Sequence, residues 1–541
     1  MVGAAVTALV LGAGCYGGRN SVEGQDGSAT AEGGDADGDG DGGGPLGEPG
    51  ERLDARVWRL SPAQFRNEAI TLLGADIPAG TLPAGATDHG ISNIAENDVI
   101  DVGNVNVVDD VTRQFSSWAA VNGAAVTGCG NYGTPACIDT FLADFLPQAY
   151  RRPVTGEEIA GYRALFDANE AAHDYDYAFG SLVRAVLLSP DFLYRTEFGP
   201  PGSSGTVVLT HYEIASAIAF ALTDQGPDDA LLAAAEAGTL TDPDEREAQV
   251  RRLMAQSAPL WQRLFREWLG LDRLTSAADS SGISSTLVGQ MQEEYAAYIE
   301  QIIVSEKGSL RELFTASYTW ASPELADLYG VSHPGGGLAR IELDASVRAG
   351  LLTQAAWLTS HATQRDDYVV RRGMGIFRDA LCHDIVPPEG VDVEAENDML
   401  AGPDATVREV VDARGAEPVC GGCHLVPDPI GLAFEMFDNS GAVRTSYTNG
   451  NPIDPAVEVP GIGQVAGAAD LARALVEDEQ FQECFVRRFA HVFVGHDLGG
   501  NEWADDTLAA LVAADLSFEE LVVAFVRHDA FIERYRTEGG Q

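Results

Sequence analysis

The chain is 541 residues long, more than one hydrophobic core holds, so two to four domains are expected. Apolar residues make up 45%, an ordinary globular share, but 34 basic against 82 acidic side chains leave a net charge of −48. That balance excludes nucleic acid and anionic membrane surfaces as partners and favours a well-solvated surface.

Residues 3–14 (GAAVTALVLGAG) are small and apolar and lead straight into Cys15. The run is too short to span a bilayer and reads as the end of an export signal over 1–15. Leu11-Gly12-Ala13-Gly14-Cys15 is a relaxed lipobox, which makes Cys15 the expected lipidation site and a lipid anchor the expected contact with a membrane. Residues 16–50 are Gly, Asp, Glu and Ser with almost nothing apolar, and predict a flexible linker. Within them Asp37, Asp39, Asp41, Gly42 and Glu48 fit a calcium-loop pattern, but no amphipathic helix flanks it and an Asp-Gly repeat produces the match by itself.

Beyond Arg52 the signals are helical. Ser61-Pro62 opens a helix that Gly74 closes, and residues 75–110, rich in Asp, Gly, Asn and Pro, read as a long loop. Thr155-Gly156-Glu157-Glu158 is a capping box for the next helix. Further helices are predicted over 177–188, 210–222, 228–237, 242–254, 261–269, 286–306 and 322–329. Period-2 alternation is confined to short runs near Val207 and Ile341. The pattern is helical again over 346–381, broken around 362–368, and irregular from Pro387 to about Ala405. A helix over 407–413 then leads into Cys420-Gly421-Gly422-Cys423-His424, and helices over 467–477, 480–494 and 518–526 follow.

Cys420 to His424 spells C-x-x-C-H. Two thiols at that spacing reach the two vinyl groups of one porphyrin, and the adjacent imidazole falls under the ring where it ligates iron. The pentapeptide therefore predicts one covalent haem c on Cys420 and Cys423, with His424 as iron ligand. A zinc site or a redox dithiol are the alternatives for the same letters. After Pro427-Asp428-Pro429-Ile430-Gly431, read as a turn, Leu432, Phe434 and Phe437 either wall a porphyrin or pack an ordinary core. Four other cysteines remain. Cys129 and Cys137, eight apart in a Gly/Pro-rich loop, suit a short disulfide in an oxidising compartment, and elimination leaves Cys382 with Cys484.

Several long runs stand together in one order: RLSPAQFRNEAITLLG (59–74), FLADFLPQAYRRPVTGEE (141–158), LLSPDFLYRTE (187–197), PDDALLAAAEAGTL (227–240), RAGLLTQAAWLT (348–359), VVRRGMGIFRDALC (369–382) and CGGCHLVPDPIGLAFEMFDNSGAVR (420–444). In these the chain resembles the planctomycete-type cytochrome family, exported multidomain proteins made largely of domains of unknown function. The resemblance covers about 52–536 and implies an exported, mainly α, multidomain helical array with a C-terminal cytochrome c-like haem module. The expected segments are 52–120, 138–200, 208–333, 346–448 and 466–536, the fourth being the haem module. The chain departs from the family at Asp367-Tyr368-Val369-Val370, where relatives carry a Thr-Ser-Pro-Val-type run, and at His491 to His496, where they carry Tyr-x-x-Gly-Arg.

The far side of the iron has several candidates. Met436, twelve residues beyond His424, offers a thioether. His361 sits at a helix break where similar members also hold a His, and serves as axial ligand or distal acid/base. His491 and His496 lie in the C-terminal region, and an open position is the remaining option. Arg444 is a candidate for a haem propionate or for a plain ion pair. The expected function is electron transfer to a redox partner protein. A haem-dependent oxidoreductase, peroxidase- or oxygenase-like, and a module that binds surface polymer or protein around a structural haem are the rivals. Whether the chain is an enzyme stays open at this point. The expected location is periplasmic or cell-surface, as an outer-membrane lipoprotein.

Overall fold

A computed structural model of the chain describes residues 52–77, 79–95, 100, 103–362, 368–383, 405–417, 421, 423–447, 450–499 and 501–537. The expected signal with Cys15, the 16–50 linker, the 387–404 stretch and Cys420 lie outside the described residues.

Helices begin where short polar side chains can take up the free N–H groups of a first turn. Ser61 accepts from the Gln64 N–H, Thr155 from Glu158 and Thr210 from Glu213, and each third residue reaches back to the cap in a complete capping box. The helices so started are Pro62–Leu73, Gly156–Ala172 and His211–Thr223. The loop expected over 75–110 is shorter than the sequence suggested. A 23-residue helix, Val105–Thr127, begins inside it and buries Val108, Val111, Thr112, Phe115 and Ala119 along one stripe.

Two hydrophobic cores result. The first gathers Phe65, Phe115, Phe141, Phe145, Phe179 and Phe192 from the helices between Pro62 and Leu193. The second is larger and runs continuously through residues of the 208–333, 346–448 and 466–536 segments. Within it, Trp261 and Phe265 of the Ala258–Trp268 helix stack on Phe489 and Phe485 of the Glu479–Val494 helix, and Trp268 meets Phe481 at a tilt. Aromatic pairs of this kind add to the area they bury.

Strand is scarce among the described residues and stitches the chain's distant parts. Glu533–Arg536 pairs in parallel with Leu53–Asp54 and antiparallel with Gly205–Val208, while Arg56–Arg59 pairs antiparallel with Tyr194–Glu197. The run near Ile341 is the strand Ala339–Glu342, paired with Tyr318–Ala321. The architecture is therefore a mainly α array. Two disulfides close it: Cys129–Cys137, and Cys382–Cys484, which ties the end of the π-helix Gly375–Ala380 to the Glu479–Val494 helix.

Candidate functional site

The C-x-x-C-H segment follows the Val407–Ala416 helix, itself opened by a Thr406/Glu409 capping box. Helical bonding carries on into the motif: Gly421 N–H donates to Glu417 O at 2.7 Å, and Leu425 N–H to Gly421 O at 3.1 Å. The turn doubles back tightly enough that a Cβ at Gly421 would stand 2.7 Å from the Gly415 carbonyl oxygen. Glycine at that place avoids the clash a side chain would make with that carbonyl.

After His424 the chain forms the Pro427–Leu432 helix where a turn was expected. Proline is tolerated in a first helical turn because the N–H it lacks has no acceptor there. The helix sets Asp428 one turn beyond His424. Nδ1 of His424 lies 3.0 Å from Oδ1 of Asp428, and Nε of Arg414 donates to Oδ2 of Asp428 at 2.6 Å. Asp428 and Arg414 are buried, while the His424 side chain keeps 13% exposure. A carboxylate only accepts, so the Nδ1 proton belongs to the His424–Asp428 bond and Nε2 keeps its lone pair. That is the tautomer a metal-ligating imidazole needs, oriented as such ligands usually are.

The turn is braced from behind. The Val369–Met374 helix crosses the Pro427–Leu432 helix at backbone contact, since a Cβ on Gly373 would fall 1.9 Å from the Pro427 oxygen and one on Gly431 2.0 Å from the Val369 oxygen. Buried Arg372 donates to the carbonyls of Phe434, Phe437, Leu358 and Asp438, and burial pulls its guanidinium down to about 10. Leu432, Phe434 and Phe437 lie in the second core, with Phe434 against Trp357.

The other expected site residues are placed as follows. Cys423 is a free, partly exposed thiol. Leu425, next to His424, is an apolar side chain left 59% exposed. Arg444 donates to the buried carboxylate of Glu435 at 3.1 Å and lies over Tyr368 and Tyr447. The Met436 sulfur faces Gly467, where the Ala468–Val476 helix begins. His361 is buried against Trp357, with Nδ1 3.0 Å from the Trp357 oxygen and Nε2 2.7 Å from an Arg273 nitrogen. Burial, then Arg273, lowers its pKa to about 3. Its ring lies against Gly375, whereas Gly373, two residues away, lies against Pro427. Gly375 opens the π-helix Gly375–Ala380, which continues the Val369–Met374 helix to which Gly373 belongs. His491 is buried 3.4 Å from Asp88, its pKa lowered to about 4 chiefly by burial. His496 lies partly buried two residues past the end of the Glu479–Val494 helix. Among the described residues no group of three or more His, Cys, Asp and Glu side chains is arranged to hold a metal ion. No described helix is long and apolar enough to cross a membrane.

Asp428, Arg414 and Arg372 were not singled out by the sequence reading. The i, i+4 spacing of His424 and Asp428 was the available signal, hidden because the two prolines flanking Asp428 suggested a turn.

Three segments match family models. Residues 137–197 match PSD5, a protein of unknown function (DUF1595), residues 209–331 match PSD4 (DUF1592), and residues 348–447, which contain the C-x-x-C-H run, match PSCyt3 (DUF1588). All three are domains of the planctomycete cytochrome c-like family. No curated protein and no solved structure matches the chain.

Proposed function

We propose that this chain is an exported monohaem c-type cytochrome that transfers electrons to a partner protein, with haem c on Cys420 and Cys423 and His424 as proximal ligand. The observation that carries the reading is the bond from His424 to Asp428, backed by Arg414, which leaves Nε2 of His424 as a lone-pair donor. Cys423 supports it as a thiol left unpaired while four other cysteines are oxidised, and Leu425 as exposed apolar surface beside the ligand. Two disulfides fit an oxidising compartment and hence export, with Cys15 as lipid anchor on the periplasmic or outer-membrane side.

Bound haem supplies a one-electron couple at iron. The protein's part is to fix the ring of His424 through Asp428, to anchor the Asp428 carboxylate on Arg414, and to brace the turn with Arg372 and the Gly373–Pro427 crossing. The same carboxylate favours a second reading, a haem-dependent oxidoreductase. A His that shares its proton with a buried Asp is a stronger donor to iron, a feature suited to activating a bound small molecule as well as to setting a potential.

Expression in an export-competent host with haem maturation tests the proposal. The expected result is one haem per chain that survives denaturation and gives a c-type haemochrome spectrum, lost in Cys423→Ser. A colourless chain, or haem removed by acid–acetone extraction, overturns it. Ready carbon monoxide binding by the reduced protein selects the oxidoreductase, and indifference to the gas selects the carrier.

A further inference from the structure

Lined by none of the haem-motif residues, a cavity of about 460 Å³ opens at the seam between the two cores. It is framed by the end of the Pro135–Tyr150 helix, the Tyr194–Glu197 strand, the start of the His211–Thr223 helix and Arg536. The volume lies within the range of small-molecule sites.

Its lining reverses the sign of the chain. Four arginines, at 151, 152, 195 and 536, face it against two carboxylates, Asp191 and Glu213, in a protein of net charge −48. Both carboxylates are already engaged. Glu213 accepts from the N–H groups of Phe198, Gly199 and Thr210, and Asp191 pairs with Arg152 at 2.8 Å. Arg151 is engaged too, donating to the carbonyls of Ala149, Asp191, Phe192 and Tyr194.

Arg195 is different. It is 5% exposed, and its guanidinium lies 4.0 Å from the Trp58 ring centre and 5.1 Å from that of Phe220. Its Nε is buried without a hydrogen-bond partner, and among the described residues its side chain makes no hydrogen bond. Arg246, Arg372 and Arg534 are even more buried, yet each donates four hydrogen bonds, and Arg372 does so with its own Nε unpartnered. Burial drags the Arg195 guanidinium down to about 9, against the pull of Glu197, whose carboxylate is bonded to Arg534 and Arg56. A buried cation with an unpartnered guanidinium at the wall of an open cavity has the chemistry to hold an anion.

We propose that this cavity binds a small ring that bears a carboxylate, with the carboxylate on Arg195 and the ring among Tyr150, Tyr194 and Tyr212. One unpaired guanidinium matches one negative charge and a planar, two-oxygen acceptor, which favours a carboxylate over a dianionic phosphate. The aromatic side chains supply flat, partly polar walls suited to a sugar acid or an aromatic acid. Arg536, at the strand Glu533–Arg536, adds a second positive charge to the lining.

Calorimetric titration of the full chain with sodium galacturonate and with sodium benzoate tests this, with galactose and benzyl alcohol as neutral counterparts. Saturable binding of either acid, at least tenfold tighter than its neutral counterpart, is expected, and which acid binds identifies the ring. Arg195→Met is expected to weaken that binding at least tenfold while the ligand-free melting temperature holds or rises, because an unpaired buried charge has been removed. Arg536→Glu, on the partly exposed C-terminal strand, is expected to weaken it about tenfold and provides the answer should Arg195→Met not fold. Neither acid binding, an acid and its neutral counterpart binding alike, or full affinity in Arg195→Met or Arg536→Glu would each overturn the proposal.

Discussion

Nδ1 of His424 and Oδ1 of Asp428 stand 3.0 Å apart, and the other oxygen of the same carboxylate holds the buried Arg414. One carboxylate thus satisfies a cation and fixes a tautomer at once. Asn in place of Asp has a single acceptor oxygen, and the buried guanidinium has the stronger claim on it. The amide N–H then faces Nδ1, which must accept, and the imidazole proton moves to Nε2. Asp428→Asn is therefore expected to keep the thioether-bound haem but to weaken axial ligation, read as a changed visible spectrum of the purified protein. A spectrum identical to the parent's sinks the assignment of Asp428 as a positioning residue.

Gly373 and Pro427 touch through their backbones, and that crossing holds the turn that carries His424. A methyl group at Gly373 would have to displace the Pro427 carbonyl from 1.9 Å. Gly373→Ala is expected to destabilise the protein by about 1–3 kcal/mol, the usual cost of overpacking. Thermal melts compare it with Gly289→Ala, which meets nothing within 4 Å on a surface-facing helix and is expected to be neutral or mildly stabilising.

How much of this was legible beforehand follows from which interactions are local. Thr155 and Thr210 marked helix starts to the residue because a capping box is a four-residue event. The mainly α array and both disulfides followed from periodicity and from counting cysteines. The Val105–Thr127 helix did not, since its valines and Gly123 weaken helix propensity and its buried stripe packs against distant residues such as Phe65, which meets Phe115. The strands Arg56–Arg59 and Tyr194–Glu197 are four residues long, too short for alternation to register, and their pairing spans more than a hundred residues. Arg444 shows the same limit at the site. The sequence left it open between a haem propionate and an ion pair, and in the fold it donates to the Glu435 carboxylate from nine residues away.

The two disulfides differ in how much chain they close. Cys129–Cys137 spans 8 residues and Cys382–Cys484 spans 102. On the loop-entropy relation these correspond to about 2.5 and about 4.7 kcal/mol of constraint on the unfolded chain. Replacing Cys382 and Cys484 together by Ala is expected to lower the urea midpoint clearly more than replacing Cys129 and Cys137 together. Equal losses would place the stabilisation in local packing instead.

Acid and alkali act on this fold through different buried groups. His361 and His491 are held neutral, at about 3 and about 4, chiefly by burial. Because their folded pKa values lie below the unfolded value of about 6.5, the unfolded chain binds the extra protons. Their contribution is complete above pH 6.5 and is lost as pH falls toward 4 and 3. Glu294 works the other way. Burial raises it to about 7, although Tyr329 and Thr319 donate to its carboxylate at 2.6 and 2.9 Å. The folded state keeps a proton that the unfolded chain releases above about pH 4.5, so stability falls as pH rises from 4.5 to 7, by about 3 kcal/mol in all. Between pH 4.5 and 6.5 Glu294 offsets one of the two histidines. Below 4.5 the histidines act unopposed, and from 6.5 to 7 only the Glu294 decline is left. Urea unfolding of the full chain from pH 3.5 to 8.5 should show a steep acid limb and a shallow fall toward neutral pH. Glu294→Gln should flatten the fall near neutral pH, steepen the rise between pH 4.5 and 6.5 and leave the limb below 4.5 in place, and His361→Gln should make the acid limb shallower. An acid limb unmoved by His361→Gln would mean that this imidazole takes up its proton without opening the fold.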